Sequence, residues 1–365
     1  MKLPGRNAKL TTAAAFMAMT LALTACSAGG SEGASSPSSD PGGSSDRAVV
    51  IVSGGAAVSP FTTPDAACTS GLAAGNTDTF LREYLLGQGM RVFTSPAMTG
   101  DGPVQDQTGF GAFGDCPEAL PAEVTVNSVG DIDLAGEHLA RFFSYLNTEY
   151  GIKTVDIVGH SMGGLFSRSA IKVVKATDSP LAIRSLTTLG TPWQGTFLGD
   201  YANGRLGMDA CDGDAFCEQS MKAFKSAADE SPIGSAQEVT ANYLAVPDGW
   251  NDRQGAQLDG IPVVLLGGDA FTGSDKKGAL AQVWPNDGIV ARESAFAAQV
   301  TDVVLPHRKC VTLPNTHSIY VSDAAKLGWD TALTWNDQSA TAVVEAINGA
   351  DTALETPNRA GCPAT

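Results

Sequence analysis

The twelve residues 155–166, V-D-I-V-G-H-S-M-G-G-L-F, constrain the fold more than any other stretch. A β-branched run stops at Gly159, and an apolar set at helical spacing, Leu165, Phe166, Ala170, Val173 and Val174, begins just beyond Gly163. Strand and helix meet this abruptly only through a tight turn, which holds its central residue, Ser161, in strained backbone. Small residues two positions before and after the serine let the two elements approach. The bend exposes the serine hydroxyl. It also sets the Met162 N–H at a helix N-terminus, where the backbone dipole favours an oxyanion.

Around this corner, short β-branched runs alternate with amphipathic segments, the pattern of a parallel sheet covered by helices. Residues 47–52 read as the first strand, 77–86 as a helix with Phe80, Leu81, Tyr84 and Leu85 on one face, and 90–94 as the next strand. Residues 131–150 place Leu139, Phe142, Phe143, Leu146 and Tyr150 at helical spacing, and Gly151 stops the helix. Strands follow at 154–158 and 261–266, apolar enough to be covered on both faces, with 183–189 as a more polar third. Residues 195–260 are rich in small and acidic residues and offer no strand, so they read as an insertion over the sheet, a cap or lid.

The N-terminus stands apart. Lys2, Arg6 and Lys9 precede an apolar run over 13–25 that is too short to span a bilayer, which marks 1–25 as an export signal. Leu23-Thr24-Ala25-Cys26 resembles the lipobox of bacterial lipoproteins, which implies diacylglycerol on Cys26 and a place on the outer face of the cell membrane. Residues 26–47, mostly Ser, Gly, Ala, Pro and acid, cannot bury enough apolar surface to fold. They read as a flexible tether of about 25 Å end to end, carrying a body over 48–365. Removing 1–25, with three bases and no acids, takes the net charge from −16 to −19. Nucleic acid is excluded as a partner on that ground.

Of seven cysteines, the lipobox claims one, leaving Cys68, Cys116, Cys211, Cys217, Cys310 and Cys362. Six allow fifteen pairings. Short loops favour joining neighbours: Cys68 with Cys116, Cys211 with Cys217, Cys310 with Cys362. None has a spacing suited to zinc.

Gly159-His160-Ser161-Met162-Gly163-Gly164, in its strand–turn–helix setting, resembles the α/β-hydrolase superfamily and in particular its bacterial lipase and esterase branch. The resemblance implies a mostly parallel central sheet with helices on both faces, an inserted cap, and a triad ordered serine, acid, histidine. Only His307 and His317 follow the serine. His317 comes after a strand-like run as the family's base does, whereas Pro306, Arg308 and Lys309 make His307 look like part of a solvated turn. His138 and His160 read as structural. For the acid, Asn286-Asp287-Gly288-Ile289-Val290 resembles the family's Asp-Gly-x-Val stretch, with Asp269 as runner-up.

A second oxyanion donor would come from Ser53-Gly54-Gly55-Ala56, through Gly55 or Ala56, although the His-Gly of many relatives is absent. Gly190-Thr191-Pro192-Trp193-Gln194-Gly195 resembles a lipase loop in which Trp193 would line the acyl pocket, a buried packing role being the alternative. Ser318, Ile319 and Tyr320 stand where some bacterial lipases carry a calcium-binding Asp, so no metal is implied, and no cofactor. The expected activity is hydrolysis of carboxylic or lipid esters through an acyl-Ser161 intermediate. An envelope acyltransferase and a non-catalytic surface binding lipoprotein are the rivals.

Overall fold

A computed structural model describes residues 46–66, 78–104, 119–230, 234–273, 281–355 and 358–362. The signal, the tether with Cys26, and the Cys68 and Cys116 pairing lie outside the described residues.

Among the described residues, six parallel strands form the central sheet: β1 (Arg47–Val52), β2 (Val92–Thr94), β5 (Thr154–His160), β6 (Ala182–Leu189), β7 (Val263–Gly268) and β8 (Arg308–Leu313), in the order β2-β1-β5-β6-β7-β8. A separate parallel pair, β3 (Ala97–Met98) and β4 (Val126–Asn127), lies beside it. The more polar run expected as a strand over 183–189 is fully ordered in β6, because it pairs with β5 on one side and β7 on the other.

Side chains alternate across the sheet as the two-residue period requires. Val50, Val52, Val155 and Ile157 pack with Leu139, Phe142 and Phe143 of α2 (Ile132–Tyr150) and Leu165 and Phe166 of α3 (Gly163–Ala176). Val49, Ile51, Val158 and Leu266 face the other way, onto Leu81 and Leu85 of α1 (Asp78–Gly87) and Val343 and Ile347 of α11 (Asp337–Asn348). Helices therefore cover both faces. The α2 helix ends at Gly151 in the left-handed region (φ 66°), as its glycine suggests. Within the opening motif, Asp156 is wholly buried yet stays paired: Arg47 of β1 and Arg184 of β6 both donate to it, which ties three strands together.

The insertion between β6 and β7 carries helices and no strand among its described residues: α4 (Phe197–Ala202), α5 (Ala215–Glu230), α6 (Gly234–Glu238), α7 (Ala241–Leu244) and α8 (Trp250–Gln254), joined by turns. It divides in two. Val239, Leu244 and Trp250 join the main core beneath α2 and α3, whereas Phe197, Cys211, Cys217 and Met221 form a separate cluster with Val283 and Trp284. The inner part is thus fixed to the body: Glu238 Oε2 accepts the Ile132 N–H at 2.7 Å and Trp250 Nε1 donates to Asp133 at 2.9 Å. Disulfides join Cys211 to Cys217 and Cys310 to Cys362, the second fastening the C-terminal segment onto β8. The remaining helices, α9 (Arg292–Ala295) and α10 (Ile319–Ala324), follow β7 and β8.

Candidate active site

The Ser161 turn leaves the middle of the sheet, where β5 lies between β1 and β6. Ser161 has φ 54°, the strained left-handed conformation that a non-glycine residue adopts only when its surroundings enforce it. Two contacts do so: the Ser161 N–H donates to Leu189 O at 2.8 Å, and Thr191 Oγ1 donates to Ser161 O at 2.8 Å. The flanking glycines serve close approach, since a Cβ on Gly163 would lie 2.2 Å from Val52 O and one on Gly159 would lie 2.7 Å from the Gly164 N. Ser161 itself stays half-exposed.

Leu189 and Thr191 hold the serine, and the residue between them faces the other two candidates. A Cβ on Gly190 would lie 2.8 Å from Asp287 Oδ2 and 2.9 Å from His317 Nδ1. Asp287 comes from the connection after β7 and His317 from the connection after β8, both at the C-terminal edge of the sheet, where open α/β sheets gather their ligand sites. Their side chains join: His317 Nδ1 donates to Asp287 Oδ2 at 2.7 Å. The backbones join as well, the His317 N–H donating to Asp287 O at 2.7 Å. Asp287 Oδ1 accepts the N–H groups of Ile289 (3.0 Å) and Val290 (2.7 Å), so this fully buried carboxylate has every role assigned. A carboxylate only accepts, so Nδ1 carries the hydrogen and Nε2 offers its lone pair.

The other candidates are engaged elsewhere. Asp269 pairs with Arg292 at 2.8 Å. His307 precedes β8, and its carbonyl accepts the Val263 N–H, at the opposite edge of the sheet from His317. A six-residue strand separates the two histidines by roughly 20 Å. His138 bonds to Thr125 O at 2.8 Å in the α2 layer.

For the oxyanion, Met162 caps α3, where the first amides of a helix have no partner within it. Of the two proposed second donors, the Ala56 N–H is spent on Ser128 O at 3.2 Å, which leaves Gly55. Gly55 abuts Met162 closely enough that a Cβ would lie 2.7 Å from its Sδ, and a Cβ on Gly54 would lie 3.3 Å from Ser161 Oγ. Among the described residues, no group of three or more His, Cys, Asp or Glu is arranged to hold a metal ion.

Residues 121–210, which hold the serine turn and its Leu189–Thr191 support, match the family model described as "Putative serine esterase (DUF676)". The chain is 34% identical over 74 residues to a triacylglycerol lipase of Pseudarthrobacter phenanthrenivorans, covering 20% of this chain and 22% of that one. It is also 34% identical over 74 residues to a triacylglycerol lipase of Burkholderia plantarii, covering 20% and 19%. It spans about a fifth of the length of each. Among solved structures, the mature Bacillus licheniformis lipase BlEst2 aligns with TM-score 0.42 at 16% identity, over 69% of this chain and 79% of that one. The chain has an α/β-hydrolase fold, a mostly parallel central sheet with helices around it.

Two side chains near the site bear on the expectations for them. Trp193, expected to line an acyl pocket, is fully buried. The Arg168 guanidinium lies 4.2 Å from its ring centroid and 4.7 Å from that of Trp250, so the tryptophan is a packing surface and its placement gives no support to a substrate-binding role. Asn251 completes this unit, accepting from Arg168 at 2.6 Å and donating to Trp193 O at 2.7 Å. Burial lowers the Arg168 pKa to about 9. The second is His160, read only as structural: its Nε2 lies 3.0 Å from His317 O. Position beside Ser161 is the one local signal that could have drawn attention to it.

Proposed function

We propose that the chain is a serine carboxylic ester hydrolase, held by lipid on Cys26 at the outer face of a bacterial membrane. The observation that supports the reading is the buried Asp287–His317 pair lying against Gly190, whose two chain neighbours, Leu189 and Thr191, hold the strained Ser161. The serine esterase family match is consistent with it.

The chemistry follows from the donors and acceptors. His317 Nε2 takes the Ser161 proton as Oγ attacks the ester carbonyl carbon, and the Met162 and Gly55 N–H groups receive the oxyanion. Asp287 stabilises the imidazolium and keeps its tautomer fixed. His317 then protonates the departing alcohol, leaving an acyl-Ser161 ester. Water, deprotonated by His317, releases the acid by the same steps in reverse.

A series of p-nitrophenyl esters of increasing chain length tests this on wild type, Ser161→Ala, His317→Ala and His307→Ala. Loss of at least about a thousandfold is expected for the first two variants and less than about threefold for the third. Retained turnover in Ser161→Ala would refute the reading, and ester formation dominating over hydrolysis in water with an added alcohol would replace the hydrolase with an acyltransferase. For the anchor, Cys26→Ser should move the protein from the membrane fraction to the medium; unchanged membrane retention rules out lipid at that residue.

A further inference from the structure

We propose that His160 is a positioning residue for the reaction: its Nε2–H holds the main-chain carbonyl of His317, locking the base to the residue that precedes the nucleophile. This rests on the hydrolase reading of the same site.

Three tethers fix His317. Two come from Asp287: its carbonyl oxygen accepts the His317 N–H and its carboxylate accepts Nδ1–H, both at 2.7 Å. The third comes from His160, whose Nε2 lies 3.0 Å from His317 O, and the two imidazole rings pack with centroids 4.7 Å apart, tilted by 44°. Asp287 orients the base relative to the acid, but neither of its bonds reaches the strand that bears Ser161. His160 supplies that link directly, because it ends β5 and is bonded covalently to Ser161. A proton transfer from Oγ to Nε2 demands that the two side chains hold a fixed separation, and a hydrogen bond between their two chain segments supplies one constraint on it.

The chemistry of the partner defines the tautomer. A carbonyl oxygen only accepts, so the hydrogen sits on His160 Nε2. His160 is buried, and burial first, then the charge of His317, depresses its pKa to about 3, so the ring stays neutral at any working pH. A neutral ring suits the place: a second cation packed on His317 would oppose the imidazolium that turnover creates. Other residues of similar size could fill the space. The His317 carbonyl requires one that donates.

Glutamine and methionine at this position share length and volume and differ in the donor. Fluorophosphonate titration counts reactive Ser161 sites in each preparation, and kcat and KM for a p-nitrophenyl ester are then expressed per titrated site. His160→Met is expected to lower kcat per site about tenfold or more with KM within about twofold, and His160→Gln to retain at least about a third of the wild-type value. A merely structural role would lower the number of titrated sites in His160→Met and leave kcat per site intact; that result overturns the proposal, as does His160→Gln failing as badly as His160→Met. If His160→Met yields no folded protein, the comparison is made with His160→Phe, which keeps an aromatic ring without the donor and is read by the same criteria. Wild-type protein that does not label at Ser161 would remove the hydrolase reading itself, whereas labelled wild type with an unimpaired His160→Met would remove only the role of His160.

Discussion

Gly190→Ala separates the geometry of the acid–base pair from the stability of the fold. The substitution does two things. At φ 57° a side chain costs about 1–2 kcal/mol in the left-handed conformation. The new Cβ would also sit 2.8 Å from Asp287 Oδ2 and 2.9 Å from His317 Nδ1, the two atoms that share the pair's hydrogen bond. Restoring an ordinary contact at 3.4 Å or more means moving these atoms by about half an ångström. Since a misplacement of 1 Å costs about a hundredfold in rate, about tenfold is expected here.

Gly151→Ala is the matched control: φ 66° and nothing within 4 Å of its added Cβ. Both variants should lose thermal stability, about 2–4 °C per kcal/mol for a domain of this size, Gly190→Ala the more because its Cβ also crowds buried atoms. Only Gly190→Ala should lose kcat. The measurements are Tm by circular dichroism and kcat on a soluble p-nitrophenyl ester. Full kcat in Gly190→Ala alongside a lowered Tm would overturn this expectation, because proton transfer would then tolerate the shift.

Asp287→Asn should reduce kcat about a thousandfold or more: the Ile289 and Val290 N–H groups keep the amide oxygen in place and turn its NH2 toward His317 Nδ1, imposing the wrong tautomer. Asp269→Asn, which breaks only the pair with Arg292, should stay within about threefold on the same assay, and the reverse ranking would make Asp269 the acid. Glu238, which joins the insertion to α2, titrates above the ordinary glutamate range because burial outweighs its bond from the Ile132 N–H. A carboxyl with a raised folded-state pKa binds more protons folded than unfolded in that window, so its contribution falls as pH rises from the ordinary value through the raised one. Glu238→Gln keeps an acceptor for Ile132 and should have a higher Tm than wild type at pH 7, with the gap closing near pH 4; a more stable wild type at pH 7 would show the carboxylate to be a net gain at the helix N-terminus.

What the sequence made legible was local. Ser161 and its glycines could be read because the strand, the turn and the helix are contiguous, and β1 could be read because its neighbours on both faces demand apolar side chains. Chain order left His307 and His317, and the family resemblance favoured His317 as the base and, through its Asp-Gly-x-Val stretch, Asp287 as the acid. The pairing of Asp269 with Arg292, 23 residues away, was not legible in the sequence. The two roles left open for Trp193 could not be separated in the sequence, because its burial depends on Arg168 and Trp250, brought to its two sides by α3 and the insertion. His160 could be read only as structural for the same reason: its partner lies 157 residues further on. The α11 helix was not singled out, although Asn336 caps it through bonds from Gln338 and Ser339, a signal within reach of sequence reading.

Covalent catalysis by Ser161 is tested most directly by acid-quenching the protein within milliseconds of mixing with a p-nitrophenyl ester and mapping the trapped acyl group by peptide mass spectrometry. The account predicts an initial release of p-nitrophenol approaching one equivalent per protein, with the acyl mass on the peptide containing Ser161 and none in Ser161→Ala. Steady hydrolysis with neither an initial release nor an acylated Ser161 peptide, under conditions where deacylation has been slowed, would contradict it.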